Sequence, residues 1–230
     1  MSKHLLSLYL TGIFEVAIGS LLSGPLQFLF FYIGAVTLIM GFSTQIGFHG
    51  VLGKDSNGQH PLWSMLVFFN WHCLYRIIAT YRLHPGDPRC VEIMPGWFVG
   101  AWPRPQDSLE PCAIVDLAAE LPLKIKPSAY YSCPTLDRGA PSAEALEAVV
   151  QFAEGLHATS TKTIVHCAQG YGRSVMALSA ILVRCHSFAN WRTALEEIQK
   201  KRPHARLSQP QIQALERWSQ EYNRSESKEH

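Results

Sequence analysis

The chain has 230 residues, 47% of them hydrophobic, and a formal net charge of +2. That length permits one ordinary domain and a smaller element beside it. The near-neutral balance, with no basic run, excludes the electrostatic footprint of a nucleic-acid binder.

Charge is distributed unevenly. As far as Gly50 only Lys3 and Glu15 are charged, and residues 16–53 contain no Asp, Glu, Lys or Arg. Residues 5–22 and 26–47 each have the length and apolarity of a bilayer-spanning helix. Ser23-Gly24-Pro25 is a turn signal, so residues 1–48 are expected to form a membrane hairpin. Glu15 is costly in hydrocarbon and is expected to face the partner helix, to be protonated or to sit near water. Gly12, Gly19, Gly34 and Gly41 would let the two helices approach closely. A cleaved signal peptide is the competing reading of the first stretch. Glu15 within its apolar run and the second span directly after it argue against that.

Residues 49–90 are expected to form an interfacial helix and a linker. Residues 61–82 are apolar but contain Asn70, His72 and Arg76. His72, Arg76 and Thr80 fall on one helical face, and Trp63, Phe68, Phe69, Trp71 and Tyr75 suit headgroup depth. A helix lying in the interface is favoured over a third span. Two spans return the chain to the side on which it began. Lys3, Lys54, Arg76 and Arg82 then share one side, which positive-inside makes the cytosolic one.

Residues 91–222 are expected to be one soluble domain. Strands are predicted at 91–93, 97–101, 113–117, 129–133 and 163–167. A helix is predicted from Pro141-Ser142 with an apolar face of Leu146, Val149, Val150, Ala153 and Leu156. A second helix covers 175–185, Asn190 caps a third, and Ser208 with Gln211 makes a capping box for a fourth. The polar tail 223–230 is expected to be disordered. Strands alternating with helices mean an α/β fold, a central sheet flanked by helices. Of six cysteines, five are read as small buried hydrophobes, because no CxxC pair or His/Cys cluster suggests a metal site.

Cys167 is the exception. In HCAQGYGRS, residues 166–174, it follows a short β-rich run and precedes an apolar helix. At such a turn, backbone N–H groups and the helix dipole favour an anion. Gly170 and Gly172 let the backbone curl around it, and a thiol there ionises readily. Arg173 offers a planar fork to two phosphate oxygens. These parts suit attack of a thiolate on phosphorus. None of the other five cysteines has an Arg six residues on.

The run His166-Cys167-x-x-Gly170-x-x-Arg173-Ser174 resembles the signature loop of dual-specificity-type cysteine-dependent protein tyrosine phosphatases, from about residue 96 to 218. The resemblance implies that Cys167 is the nucleophile and that His166 orders the loop. It makes Ser174 the hydroxyl that eases thiolate departure. Phosphate would be held by the backbone of Ala168, Gln169, Gly170, Tyr171 and Gly172, and by Arg173. It further implies a general acid about thirty residues upstream, and Asp137 lies 30 residues before Cys167, after a predicted strand. Asp116, the rival carboxylate, lies within a strand and reads as structural. No cofactor or metal is implied. The implied substrates are phosphotyrosine, phosphoserine or phosphothreonine in proteins. A phospholipid headgroup (phosphatidylglycerophosphate-like) is the alternative, and an inactive phosphate-binding module a third reading. Ala168 and Gln169 stand where phosphoinositide phosphatases often carry lysine, and no aromatic tyrosine-recognition loop is present.

Overall fold

A computed structural model describes residues 3–81, 83–107, 112–159, 161–186 and 188–229, with side chains as far as 224. Arg82 therefore lies outside the described residues. Helices α1 (Lys3–Leu21) and α2 (Pro25–Ile46) form an antiparallel hairpin. Its turn is made at Gly24, with φ 74°. At about 1.5 Å per residue, the 19- and 22-residue helices are long enough to cross a hydrocarbon core of about 30 Å. Gly12 and Gly34 set their approach: a Cβ on Gly34 would stand 3.0 Å from the Gly12 carbonyl oxygen and 2.8 Å from a Val16 methyl. Gly19 also faces its partner tightly, whereas Gly41 has only ordinary contacts. Glu15 faces the partner helix as expected and accepts a 3.0 Å hydrogen bond from the Thr37 hydroxyl.

The segment after the hairpin breaks at Phe68 into α3 (Leu62–Val67) and α4 (Phe69–Tyr81). Thirteen residues of α4 reach only about 20 Å, too short for a third span. Phe68, Trp71 and Tyr75, expected at headgroup depth, are buried instead. They pack on Trp102, Ala118, Leu121 and Leu136 of the soluble domain, because positions 68, 71 and 75 form one helical stripe. Trp63 and Phe69 remain exposed.

The soluble domain holds a five-stranded sheet in the order β1-β2-β5-β3-β4. The strands are β1 (Cys90–Met94), β2 (Trp97–Gly100), β3 (Ala113–Ala118), β4 (Ala129–Thr135) and β5 (Thr163–His166). All five correspond to predicted strands. β1 is antiparallel to β2, and β2, β5, β3 and β4 run parallel. β3 and β5 are buried along their whole length, in keeping with their largely apolar sequences. Around the sheet lie α5 (Ala143–Ala158), α6 (Arg173–His186), α7 (Trp191–Lys201) and α8 (Gln209–Glu229). Ser142 caps α5 and Asn190 caps α7 in a full capping box. α5 buries Leu146, Val149, Val150 and Ala153, while Leu156 is half-buried.

Three expectations need correction. The Ser208–Gln211 box is half made: Gln211 Oε1 accepts the Ser208 N–H, but the Ser208 hydroxyl donates to the Arg138 carbonyl. Residues 223–229 continue α8, since a polar run of Glu, Ser and Lys extends a nucleated helix at little cost. Of the five cysteines besides Cys167, only Cys112 and Cys133 are fully buried, and Cys73, Cys90 and Cys185 are half-buried.

Residues 49–75 are bonded tightly to the soluble domain. Lys54 Nζ donates to Asp116 Oδ2 and to the Ala118 carbonyl, each at 2.6 Å, in a buried ion pair. His60 reaches the Ala119 carbonyl at 2.8 Å and His72 the Glu120 carbonyl at 3.0 Å. Tyr130 donates to Asp116 at 2.9 Å, which fixes that carboxylate in a structural role. Removing one partner of a buried pair strands the other charge, at about 3–5 kcal/mol. Lys54→Met is therefore expected to lose that much stability, read as a lowered midpoint in urea with an unchanged slope.

Candidate active site

The parallel strands deliver their carboxyl ends to one edge of the sheet, where such folds place ligands. β5 ends at His166, the chain curls through residues 167–172, and α6 begins at Arg173. Gly170 has φ 78°, and a Cβ there would stand 2.5 Å from the Gly100 carbonyl carbon. Only glycine fits both the dihedral and the approach to β2. The turn wraps the Cys167 sulfur: the Gly170 N–H donates to Sγ at 3.2 Å, and the Ser174 hydroxyl lies 3.4 Å away. Burial pushes the thiol up, but Arg173, the Ser174 hydroxyl and the Ser174 and Gly170 N–H groups outweigh it and hold the thiol below its ordinary value. Burial dominates at Cys90, Cys133 and Cys185, pushing each to about 11. Cys167 alone among these is prepared as a thiolate.

Arg173 is buried, with its guanidinium anchored along one edge. Nη1 donates to Glu120 Oε2 at 2.8 Å and to the Thr135 and Leu117 carbonyls. Nε and Nη2 make no hydrogen bond among the described residues, although Nη2 lies 3.4 Å from Asp137 Oδ1. Burial disfavours its charge, but the Glu120 and Asp137 carboxylates and the Cys167 thiolate hold Arg173 cationic well above its usual value. The guanidinium thus has one edge fixed and one edge of two donors left over. Such an edge has the geometry to take two oxygens of a tetrahedral anion.

His166 is fully buried, with Nδ1 3.3 Å from the Cys167 carbonyl and Nε2 3.5 Å from Asp116 Oδ1. Burial lowers its pKa against the pull of Asp116, so the ring is neutral and acts as a strut. Asp137 follows β4, 40% exposed at the mouth of the site, and its N–H donates to Glu120 Oε1 at 2.9 Å. Cys167, Arg173, Ser174 and Asp137 therefore meet as expected. A pocket of about 290 Å³ lies over them, lined also by Tyr75, Tyr171, Arg206 and Gln211.

Several residues of the site went unread in the sequence. Glu120 bridges Arg173 and the backbone of Asp137; its only signal was a carboxylate closing an apolar run, AIVDLAAEL. Arg202, just after α7, donates to the Gly170 and Gln169 carbonyls at 2.6 and 2.8 Å and to Pro88, and stacks on Tyr171. It ties down those two carbonyls, while the Gly170 N–H points at the Cys167 sulfur. Tyr75 comes from α4, where aromatics were assigned to lipid. Gln211 donates to the Gly139 carbonyl at 3.1 Å and packs beside Gly172.

No protein-family model matches the chain, and no curated protein matches it by sequence. Solved structures do match. Tk-PTP in its active form is 26% identical with a TM-score of 0.53, over 58% of this chain and 97% of that one. Human DUSP28 is 18% identical at 0.52, over 60% and 98%. PTPMT1, solved in complex with PI(5)P, is 20% identical at 0.50, over 60% and 99%. The fold is that of the protein tyrosine phosphatases. The match covers the solved chains of DUSP28 and PTPMT1 almost end to end and leaves about 40% of this chain unmatched.

Proposed function

We propose that the protein is a membrane-anchored phosphatase that hydrolyses phosphomonoesters through a cysteinyl-phosphate. The observation that carries this reading is the pair of Arg173 donors, Nε and Nη2, left without a hydrogen bond among the described residues and buried beside a thiol held below its ordinary value. The Cys167 thiolate attacks phosphorus while Arg173 Nε and Nη2 and the loop N–H groups hold the non-bridging oxygens. The P–O bond to the leaving group breaks, and the protonated Asp137 carboxyl gives that oxygen its proton. The Asp137 carboxylate then takes a proton from water as the water oxygen attacks phosphorus. The sulfur leaves as thiolate, eased by the Ser174 hydroxyl, and inorganic phosphate is released.

The hairpin is the anchor. Most of α1 and α2 is exposed or half-buried in the folded protein, with Leu10, Phe14, Leu21 and Phe28 among its exposed large apolar side chains, and a contiguous apolar surface of this kind marks a membrane or protein contact. The outer face of α3 and α4, with Leu62, Trp63, Leu66, Phe69 and Ile77 exposed, lies in the headgroup region. The catalytic domain is on the cytosolic side, where a low-pKa thiolate stays reduced. A C-terminus protected from external protease in intact vesicles is the expected result.

Phosphorylated tyrosine, serine and threonine in proteins are the first substrate class. A lipid phosphomonoester is favoured by one observation. The catalytic pocket shares Tyr75, Asp137 and Arg138 with a groove of about 540 Å³ between the hairpin and α4, which runs past Leu8, Ile33, Leu74 and Ile78. Phosphate release in chelator from tyrosine- and threonine-phosphorylated peptides, against a lipid phosphomonoester in mixed micelles, decides between them. Binding without turnover by folded, reduced protein would favour the phosphate-binding module. Asp137→Asn is expected to slow release of a threonine phosphate about 10²–10⁴-fold, measured as kcat.

A further inference from the structure

The loop that carries Asp137 is held across its neck by a residue from the membrane-anchor side of the chain. His49 lies just after α2, in a single 3-10 turn spanning His49–Leu52. Its Nδ1 accepts the Leu136 N–H at 3.3 Å, and its Nε2 lies 2.8 Å from the Ala140 carbonyl. Because the carbonyl can only accept, Nε2 carries the proton and the ring is neutral. One imidazole thus bridges the residue before Asp137 and a residue three after it. The ring also packs on Gly139, where a Cβ would stand 2.6 Å from His49 Cε1. Arg138 next to Asp137 is the only non-glycine residue with positive φ among the described residues, at 59°. A left-handed arginine costs energy that its surroundings must offset. The partners that keep it so are His49, Glu120 on the Asp137 N–H, and Ser208 on the Arg138 carbonyl. Tyr75 closes the other flank, lining the catalytic pocket beside Asp137.

We infer that His49 is a positioning residue for the general acid: it staples the 136–140 loop so that Asp137 stays beside Arg173 and over Cys167. The inference rests on the reading of Asp137 as the proton donor. The membrane segment then sets the catalytic geometry as well as the location. Two bonds from a single rigid ring to both ends of a five-residue loop remove the freedom that would let the carboxyl swing away. A displacement of about 1 Å at a proton donor costs about a hundredfold.

The test uses full-length protein in detergent micelles and two phosphomonoesters, one with an activated aryl leaving group and one with an alkyl leaving group. A general acid is needed only for the second. His49→Ala is expected to lower kcat on the alkyl ester about 10–100-fold and on the aryl ester about twofold or less. It should add nothing further to Asp137→Asn in the double variant. His49→Gln, which keeps the reach and one of the two bonds, should recover part of the loss and serves if the alanine variant fails to fold. Equal losses on both esters, or additive losses in the double variant, would overturn the staple and leave His49 structural. If Asp137→Asn itself spared the alkyl ester, the reading of Asp137 would fall. If the unaltered protein turned over neither ester, hydrogen exchange would judge the staple alone, and an unchanged rate at the Leu136 amide in His49→Ala would sink it.

Discussion

Cys167→Ser is expected to abolish turnover, with kcat falling about 10⁴-fold or more, while the protein keeps its fold and still binds vanadate or phosphate. A serine hydroxyl at that position has no thiolate-like ionisation, and the N–H groups around Sγ cannot supply one. The unaltered enzyme should also show what those groups do to the thiol. Because Arg173, Ser174 and Gly170 hold Cys167 below its ordinary value, the thiolate persists as pH falls below the free-thiol range of about 8.5. The acid limb of kcat/KM should therefore lie below that range, with activity lost only as the thiolate protonates. Iodoacetamide alkylation of Cys167 should follow the same pH curve and be blocked by phosphate. Full retention of activity in Cys167→Ser would end the cysteinyl-phosphate mechanism.

Arg173→Lys is expected to lower kcat about 10²–10³-fold although the charge is kept. Lysine is a point charge, and it cannot hold Glu120 on one edge while offering two parallel donors to phosphate on the other. The thiol still has a cation nearby, so the acid limb should move far less than the rate falls. Steady-state kinetics across pH would separate the two effects. A rate within about tenfold of the unaltered protein would show that field, and not the bidentate grip, carries the step. Glu120 shares this dependence, since its two oxygens divide between Arg173 Nη1 and the Asp137 N–H.

The nine residues from His166 to Ser174 were readable because their chemistry is local. A strand end, a glycine turn and a helix start place the sulfur and the guanidinium within seven consecutive positions. Asp137 was named only through the family resemblance, which implies an acid about thirty residues upstream of the cysteine on a loop after a strand. The five strands showed as β-rich runs bounded by turn residues.

The partners of those residues are of a different kind. Arg202 meets Gly170, His49 meets Leu136 and His72 meets the Glu120 carbonyl across 32, 87 and 48 positions. Nothing in the local pattern around an arginine or a histidine says which carbonyl it will reach. Hydropathy misassigned Phe68, Trp71 and Tyr75 because lipid and protein core are equally apolar solvents. Which of them an aromatic stripe faces depends on the break at Phe68 and on the surface waiting for it. Ser208 was misread for the same reason: its hydroxyl could cap its own helix, but the Arg138 carbonyl arrives from another part of the chain. Local pattern therefore named the candidate nucleophile and phosphate-binding groups, since a strand-to-helix turn is made from consecutive residues. The groups packed around them came from chain closure, which brings residues 49–75 around the loops after β3 and β4 and against the candidate site.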